Sequence, residues 1–252
     1  MQKPSVFIFD LDGTLAESKS KMGAEVDALL SKMLMDGKVL SIISGANRAL
    51  LEHQFLSEFS CDKKHFHNLY LLPTCGAAFH RWHQPSNDWE IVYEHFIPEE
   101  KRKEVIRILE EEVFKLVSFE VPKETWGQRI EDRITQITCS MLGREAPHEH
   151  KKVWDPDKRK RTELANLVNE RVEGLIARIG GSTTIDINME GIDKAFGVNE
   201  FFKHTEHDRQ NAIFFGDSLH EGGNDFPVSK TGIPCVAVEG PEDLLGKIER
   251  YL

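Results

Sequence analysis

Apolar and polar positions fall into two distinct rhythms along this chain. Val6–Phe9 is an unbroken apolar run, the mark of a strand covered on both faces of a parallel sheet. Residues 22–35 then repeat apolar side chains at helical spacing, with Val26, Leu29, Leu30, Met33 and Leu34 on one stripe. Val39–Ile43 is a second buried strand, 50–59 a second helix and Leu69–Leu72 a third strand. This strand–helix alternation predicts a doubly wound sheet with right-handed crossovers.

The middle of the chain breaks that rhythm. Residues 79–83 and 89–93, separated by polar residues and Pro85, read as a hairpin. Residues 98–116 carry Val105, Ile106, Leu109, Val113 and Leu116 along one helical stripe, and 129–133 and 136–142 alternate like antiparallel strands. Asp155-Pro156 opens a long helix whose stripe runs from Leu164 through Leu167, Val168, Val172, Leu175 and Ile176 to Ile179, ending at Gly180-Gly181. From about Thr184 the first pattern returns, with strands at 212–215 and 234–238 and a closing helix at 241–251. The expected fold class is α/β: a Rossmann-like, doubly wound parallel sheet built from 1–82 and 188–252, with an inserted α+β cap at 83–187. No internal repeat or low-complexity tract interrupts it.

Composition narrows the class. The 252 residues are 40% hydrophobic and 29% charged, which supports a packed core and excludes a disordered or collagen-like chain. No apolar run approaches the roughly 20 residues of a membrane span, and the first residues do not read as a signal peptide. A net charge of −10 argues against a nucleic-acid partner. The four cysteines form no CxxC pair, so they read as reduced thiols of a cytoplasmic protein without membrane or nucleic-acid partners.

The chemistry sits at strand ends. Asp10-Leu11-Asp12-Gly13-Thr14 follows the first strand, where open α/β sheets bind ligands. One carboxylate can act as nucleophile while the other moves protons, and Gly13 permits the sharp turn between them. Ser44, after the second strand, and its adjacent N–H groups can hold a phosphate. Lys194, in Gly191-Ile192-Asp193-Lys194, offers a positive charge. Asp217, after the fourth core strand, Asp225 and Asp10 can supply hard oxygen ligands to Mg²⁺.

These four segments, in this order, resemble the motifs of the haloacid dehalogenase superfamily of phosphotransferases, whose capped branch inserts an α+β module between Ser44 and Lys194. Within it, the chain is similar to the eukaryotic-type phosphomannomutases. Ile130-Glu131-Asp132-Arg133, Ser140-Met141-Leu142-Gly143-Arg144 and the stretch from Gly180 to Asp186 carry that similarity. The resemblance implies that Asp10 is phosphorylated and that Asp12 is the acid and base. It implies Mg²⁺ on Asp10, the Asp12 carbonyl and Asp217. It further implies a sugar phosphate bound by Lys19, Arg133, Arg144, Thr184 and Asp186, a bisphosphorylated hexose as activator of a mutase, and a homodimer through the cap.

Three positions depart from that pattern: Trp126-Gly127 replaces an arginine–glycine pair, Lys19 an arginine, and Cys75-Gly76 an asparagine–glycine pair. Tryptophan cannot supply the two directed bonds of an arginine fork. Three functions therefore stay open: a hexose-phosphate mutase, first among them phosphomannomutase; a sugar-phosphate phosphatase on the same residues; and a non-catalytic sugar-phosphate-binding protein. Two charged segments are read as solvated surface, His148-Glu149-His150 and the basic run 158–161. Between Pro122 and Arg161, ten basic residues face seven acidic ones, so this part of the cap is positive although the whole chain is acidic.

Overall fold

The computed structural model describes residues 3–18 and 20–252, and the chain separates into two compact units. The first comprises Met1–Glu94 and Ile192–Leu252; the second is His95–Gly191. The junctions thus differ from the expected 82/83 and 187/188. The reason lies in the pairing of two segments. The hairpin β4 (Ala78–His83) and β5 (Asp88–Glu94) extends the sheet of the first unit, and β9 (Thr184–Met189) belongs to the sheet of the second.

The first unit is a seven-stranded sheet. Its remaining strands are β1 (Val6–Phe9), β2 (Val39–Ile43), β3 (Leu69–Leu72), β10 (Ala212–Gly216) and β11 (Cys235–Ala237), in the order β11-β10-β1-β2-β3-β4-β5. The first five in this order are parallel; β4 and β5 are antiparallel additions. Successive side chains enter opposite layers: Phe7 and Phe9 join one apolar cluster, Val6 and Ile8 the other, and β2 and β10 divide in the same way. That period of two explains the all-apolar runs, since neither face meets water. The helices α1 (Ala24–Met35), α2 (Arg48–Gln54) and α8 (Pro241–Ile248) contribute Leu30, Leu51 and Leu244 to the first cluster. Helix α7 (Lys194–His204) contributes Val198 and Phe201 to the second. Burying each such side chain contributes about 1.5–3 kcal/mol.

Strand order reverses at β1, with β2 on one side and β10 on the other. Such a switch point opens a crevice beyond the carboxyl ends of the strands, and Asp10 stands there.

The second unit is a four-stranded antiparallel sheet, ordered β6 (Ile130–Asp132), β7 (Ile137–Ser140), β9 and β8 (Leu175–Ile179). One face is apolar: Ile137, Cys139, Ile185 and Ile187 pack with Val105, Ile108, Leu164 and Val168 from the helical layer. That layer is α3 (Glu99–Ile108), continued through a π-turn at Leu109–Val113 into α4 (Phe114–Leu116), with α5 (His148–Trp154) and α6 (Arg159–Asn169) following in sequence.

The long helix expected from 155 to 179 is instead α6 followed by β8. Asn169 stops it: its side chain accepts from the Ala177 N–H at 2.7 Å and donates to the Ala177 carbonyl at 3.0 Å. Gly174 turns the chain at φ +71°, and the apolar residues beyond pair with β9. The basic run 158–161 is not wholly solvated either. Arg161 is buried, with its Nε donating to Asp155 Oδ2 at 2.8 Å and an Nη donating to the Asp155 carbonyl at 2.8 Å. Residues 148–150 open α5 rather than forming a turn. All four cysteines are free thiols.

Candidate active site

The loop after β1 is shaped by its own backbone. The N–H groups of Thr14, Leu15 and Ala16 all donate to the Leu11 carbonyl, and Gly13 N–H donates to the Ala16 carbonyl at 2.7 Å. Gly13 adopts φ +87°, and a Cβ there would lie 2.8 Å from Asp217 Oδ2. Glycine is therefore required both for the turn and for the approach of a carboxylate from the β10 loop.

Asp10 is buried and accepts from Thr14 Oγ1 at 3.3 Å on Oδ2, while Lys194 Nζ donates to its Oδ1. The same ammonium donates to Asp225 Oδ1 at 2.6 Å, and the Ser218 N–H donates to Asp225 Oδ2 at 3.0 Å. Lys194 is the first residue of α7, aligned by the Asp193 side chain, which accepts from the Phe196 N–H at 3.0 Å. Burial pulls the Lys194 pKa down, but the Asp10 and Asp225 carboxylates outweigh it, so the net shift is upward and the ammonium stays charged. Burial pushes the Asp10 carboxyl well above the ordinary carboxylate range, with Lys194 opposing.

Oxygens of Asp10, Asp217 and Asp225 lie within 4.8 Å of one another, a set of hard donors suited to a divalent cation. Ser44 is buried at the end of β2, and its Oγ accepts from the Ala46 N–H at 3.0 Å. Its carbonyl accepts from the Cys75 N–H at 2.8 Å. Cys75 holds φ +58°, a left-handed conformation that asparagine tolerates better. Asp12 meets a residue with no motif signal: Gln54 Nε2 donates to Asp12 Oδ1 at 3.0 Å.

In the second unit, Thr184 and Asp186 share one sheet face with Glu131 and Thr138, and Arg133 and Arg144 reach Glu131 from the segments that follow β6 and β7. Registration sets Glu131 beside Thr138, Thr138 beside Asp186 and Asp186 beside Arg178, while Ser140 sits beside Thr184. Thr138 Oγ1 donates to Asp186 Oδ1 at 2.7 Å. Arg133 donates from Nε at 3.0 Å and Nη2 at 2.5 Å to Glu131 Oε2, and Arg144 Nη1 lies 3.1 Å from Glu131 Oε1. Glu131 thus holds both arginines, a role that its sequence position does not reveal. Trp126 lies against the Arg144 turn: the Glu145 N–H donates to its carbonyl at 2.8 Å, and its ring meets that of His150 at 4.8 Å. Lys19 lies outside the described residues.

Among the described residues, no helix is long and apolar enough to cross a membrane. The sequence pattern of haloacid dehalogenase-like hydrolases matches residues 7–227. A phosphomannomutase of Encephalitozoon cuniculi (strain GB-M1) is 26% identical, covering 98% of this chain and 93% of that protein. One of Galdieria sulphuraria is also 26% identical, with 96% and 92% covered. Among solved structures, an IMP-bound IMP-nucleotidase of Plasmodium falciparum superposes with a TM-score of 0.68 at 16% identity, covering 99% of this chain and 68% of that one. A haloacid dehalogenase-like hydrolase from Bacteroides thetaiotaomicron gives a TM-score of 0.62 at 17% identity, with 99% and 100% covered. At such identities the structural likeness concerns the fold alone. The sequence match spans the switch-point crevice and its carboxylates, and the chain belongs to the haloacid dehalogenase-like hydrolase family.

Proposed function

We propose that this protein is a Mg²⁺-dependent phosphotransferase acting on hexose phosphates through an aspartyl phosphate, with phosphomannomutase activity: interconversion of mannose 1-phosphate and mannose 6-phosphate, with glucose phosphates as further substrates. The observation that carries this reading is the buried Lys194 ammonium between Asp10 and Asp225 at the switch point. The near full-length similarity to phosphomannomutases supports the sugar-phosphate assignment.

An Asp10 oxygen attacks phosphorus, the bond from phosphorus to the sugar oxygen breaks, and Asp12 supplies the proton that this oxygen takes up. In the second half, Asp12 removes the proton of the other hydroxyl as that oxygen attacks phospho-Asp10. Lys194 and the Ser44 region face the charge on the transferring group, so stabilisation comes from groups already in place. Asp10, the Asp12 carbonyl and Asp217 would hold Mg²⁺. Asp225, whose oxygens also meet Lys194 and the Ser218 N–H, would complete this ligand set. The cation supplies charge neutralisation on the phosphoryl oxygens. Arg133, Arg144, Thr184 and Asp186, with Lys19, bind the distal phosphate and the sugar hydroxyls, and a bisphosphorylated hexose primes the cycle. The protein acts in the cytoplasm as a homodimer through the cap.

Trp126 favours a second reading, a phosphatase, because the distal phosphate would lose one arginine fork. One incubation separates the two: enzyme, Mg²⁺ and mannose 1-phosphate, with and without catalytic glucose 1,6-bisphosphate. Bisphosphate-stimulated mannose 6-phosphate without free phosphate is the expected result. Steady phosphate release identifies the phosphatase. No turnover of any sugar phosphate overturns both and leaves a binding protein.

A further inference from the structure

Gln54 is the last residue of α2 and is only 2% exposed. Its side-chain Nε2 donates to Asp12 Oδ1 at 3.0 Å and to the Ser20 carbonyl at 3.2 Å, and its main-chain carbonyl accepts from the Met22 N–H at 2.8 Å, which fixes the backbone that carries the amide. The neighbouring Leu51 and Phe55 are fully buried in the apolar cluster beneath α2. An amide so anchored keeps its position while the groups around it react.

A glutamine is an unusual residue to bury at this depth, because each unpaired amide hydrogen costs about 1–3 kcal/mol. Here both amide hydrogens are spent on one junction: one on Asp12 and the other on the strap that leads from the Asp12 loop into α1. The amide is neutral across the whole working pH range, so its hold on Asp12 does not depend on the protonation of a second group. Its N–H can only donate. A donor fixed on Oδ1 sets the rotation of the Asp12 carboxyl group and favours Oδ2 as the oxygen that carries the transferred proton.

We infer that Gln54 is a positioning residue for proton transfer by Asp12. It fixes the carboxyl so that one defined oxygen meets the leaving group. This inference rests on the acid–base role of Asp12 proposed above. Orientation of an acid within a few tenths of an ångström governs how much of its rate factor is realised. Gln54 therefore acts only in steps that need a proton, and its loss should be felt in proportion to the basicity of the leaving oxygen. A sugar oxygen leaves as an alkoxide unless protonated, whereas p-nitrophenolate leaves without a proton.

The test compares first-turnover phosphate transfer to Asp10 from mannose 1-phosphate and from p-nitrophenyl phosphate, in the Mg²⁺-loaded full-length protein. Gln54→Met keeps length and removes the donor; Gln54→Asn keeps the amide but withdraws it by one methylene and serves if the first variant folds poorly. The expected result is a ratio of sugar to aryl rates at least tenfold below wild type, with aryl transfer changed less than threefold. A ratio equal to wild type overturns the inference, whether both rates fall together or neither falls, because a purely structural role moves both substrates alike. Asp12→Ala run in parallel isolates the underlying reading. If that variant leaves the ratio unchanged, the acid role of Asp12 fails; if it collapses the ratio and the Gln54 variants do not, only the positioning role fails.

Discussion

The Lys194 ammonium lies 2.6 Å from the Asp225 carboxylate and also meets Asp10, with all three groups withdrawn from water. One cation thereby ties the end of β1 to the loop beyond β10. Removing one partner of such a group leaves buried charge uncompensated. Lys194→Met should cost about 3–5 kcal/mol in urea unfolding and abolish phosphoryl transfer. A stable variant with wild-type turnover would contradict the arrangement.

In the proposed mechanism an Asp10 oxygen forms the covalent bond to phosphorus. Asp10→Asn keeps volume and loses the anionic oxygen, so turnover of every phosphate ester should fall at least about 10³-fold. Acid-quenched protein should then carry no label from a radioactive phosphate donor. Persistent labelling in that variant would place the nucleophile elsewhere.

Gly13→Ala puts a methyl group 2.8 Å from Asp217 Oδ2 at a φ of +87°. Strain of this kind costs about 1–3 kcal/mol, and the displaced carboxylate should weaken Mg²⁺ activation. A titration of activity against Mg²⁺ should show a higher half-saturating concentration, with Gly23→Ala as a control because nothing crowds that position.

Arg133 and Arg144 share Glu131 but differ in exposure, with side chains 10% and 49% exposed. Arg144→Ala should therefore raise KM for sugar phosphates about tenfold with little loss of stability. Arg133→Ala should in addition lower the melting temperature. Neither should change turnover of p-nitrophenyl phosphate, which has no distal phosphate to bind.

His80 links pH to stability. It is buried on β4, its Nε2 has no hydrogen-bond partner among the described residues, and burial followed by the charge of Arg48 lowers its pKa to about 4. The unfolded chain takes up this proton near pH 6.5 and the folded chain only near pH 4, so stability falls as pH drops through that window. His80→Phe should flatten this part of the curve of unfolding free energy against pH. An unchanged slope would show that His80 protonates without penalty.

How much of this was legible beforehand depends on the range of each contact. The sequence by itself determined the loop after β1, the strand ends and the order of the motifs. Asp10, Ser44 and Asp217 each follow an apolar run directly, and chain connectivity carries them to the strand ends. Tertiary structure alone decided the partners of those residues. Gln54 reaches Asp12 across 42 positions and Lys194 reaches Asp10 across 184, and no local pattern encodes a hydrogen bond of that reach. It also decided residues 175–179, whose apolar spacing suits a helix as well as a strand. Pairing with β9 and the Asn169 side chain on Ala177 settled that choice, because backbone groups in a folded interior must find partners and periodicity cannot say which.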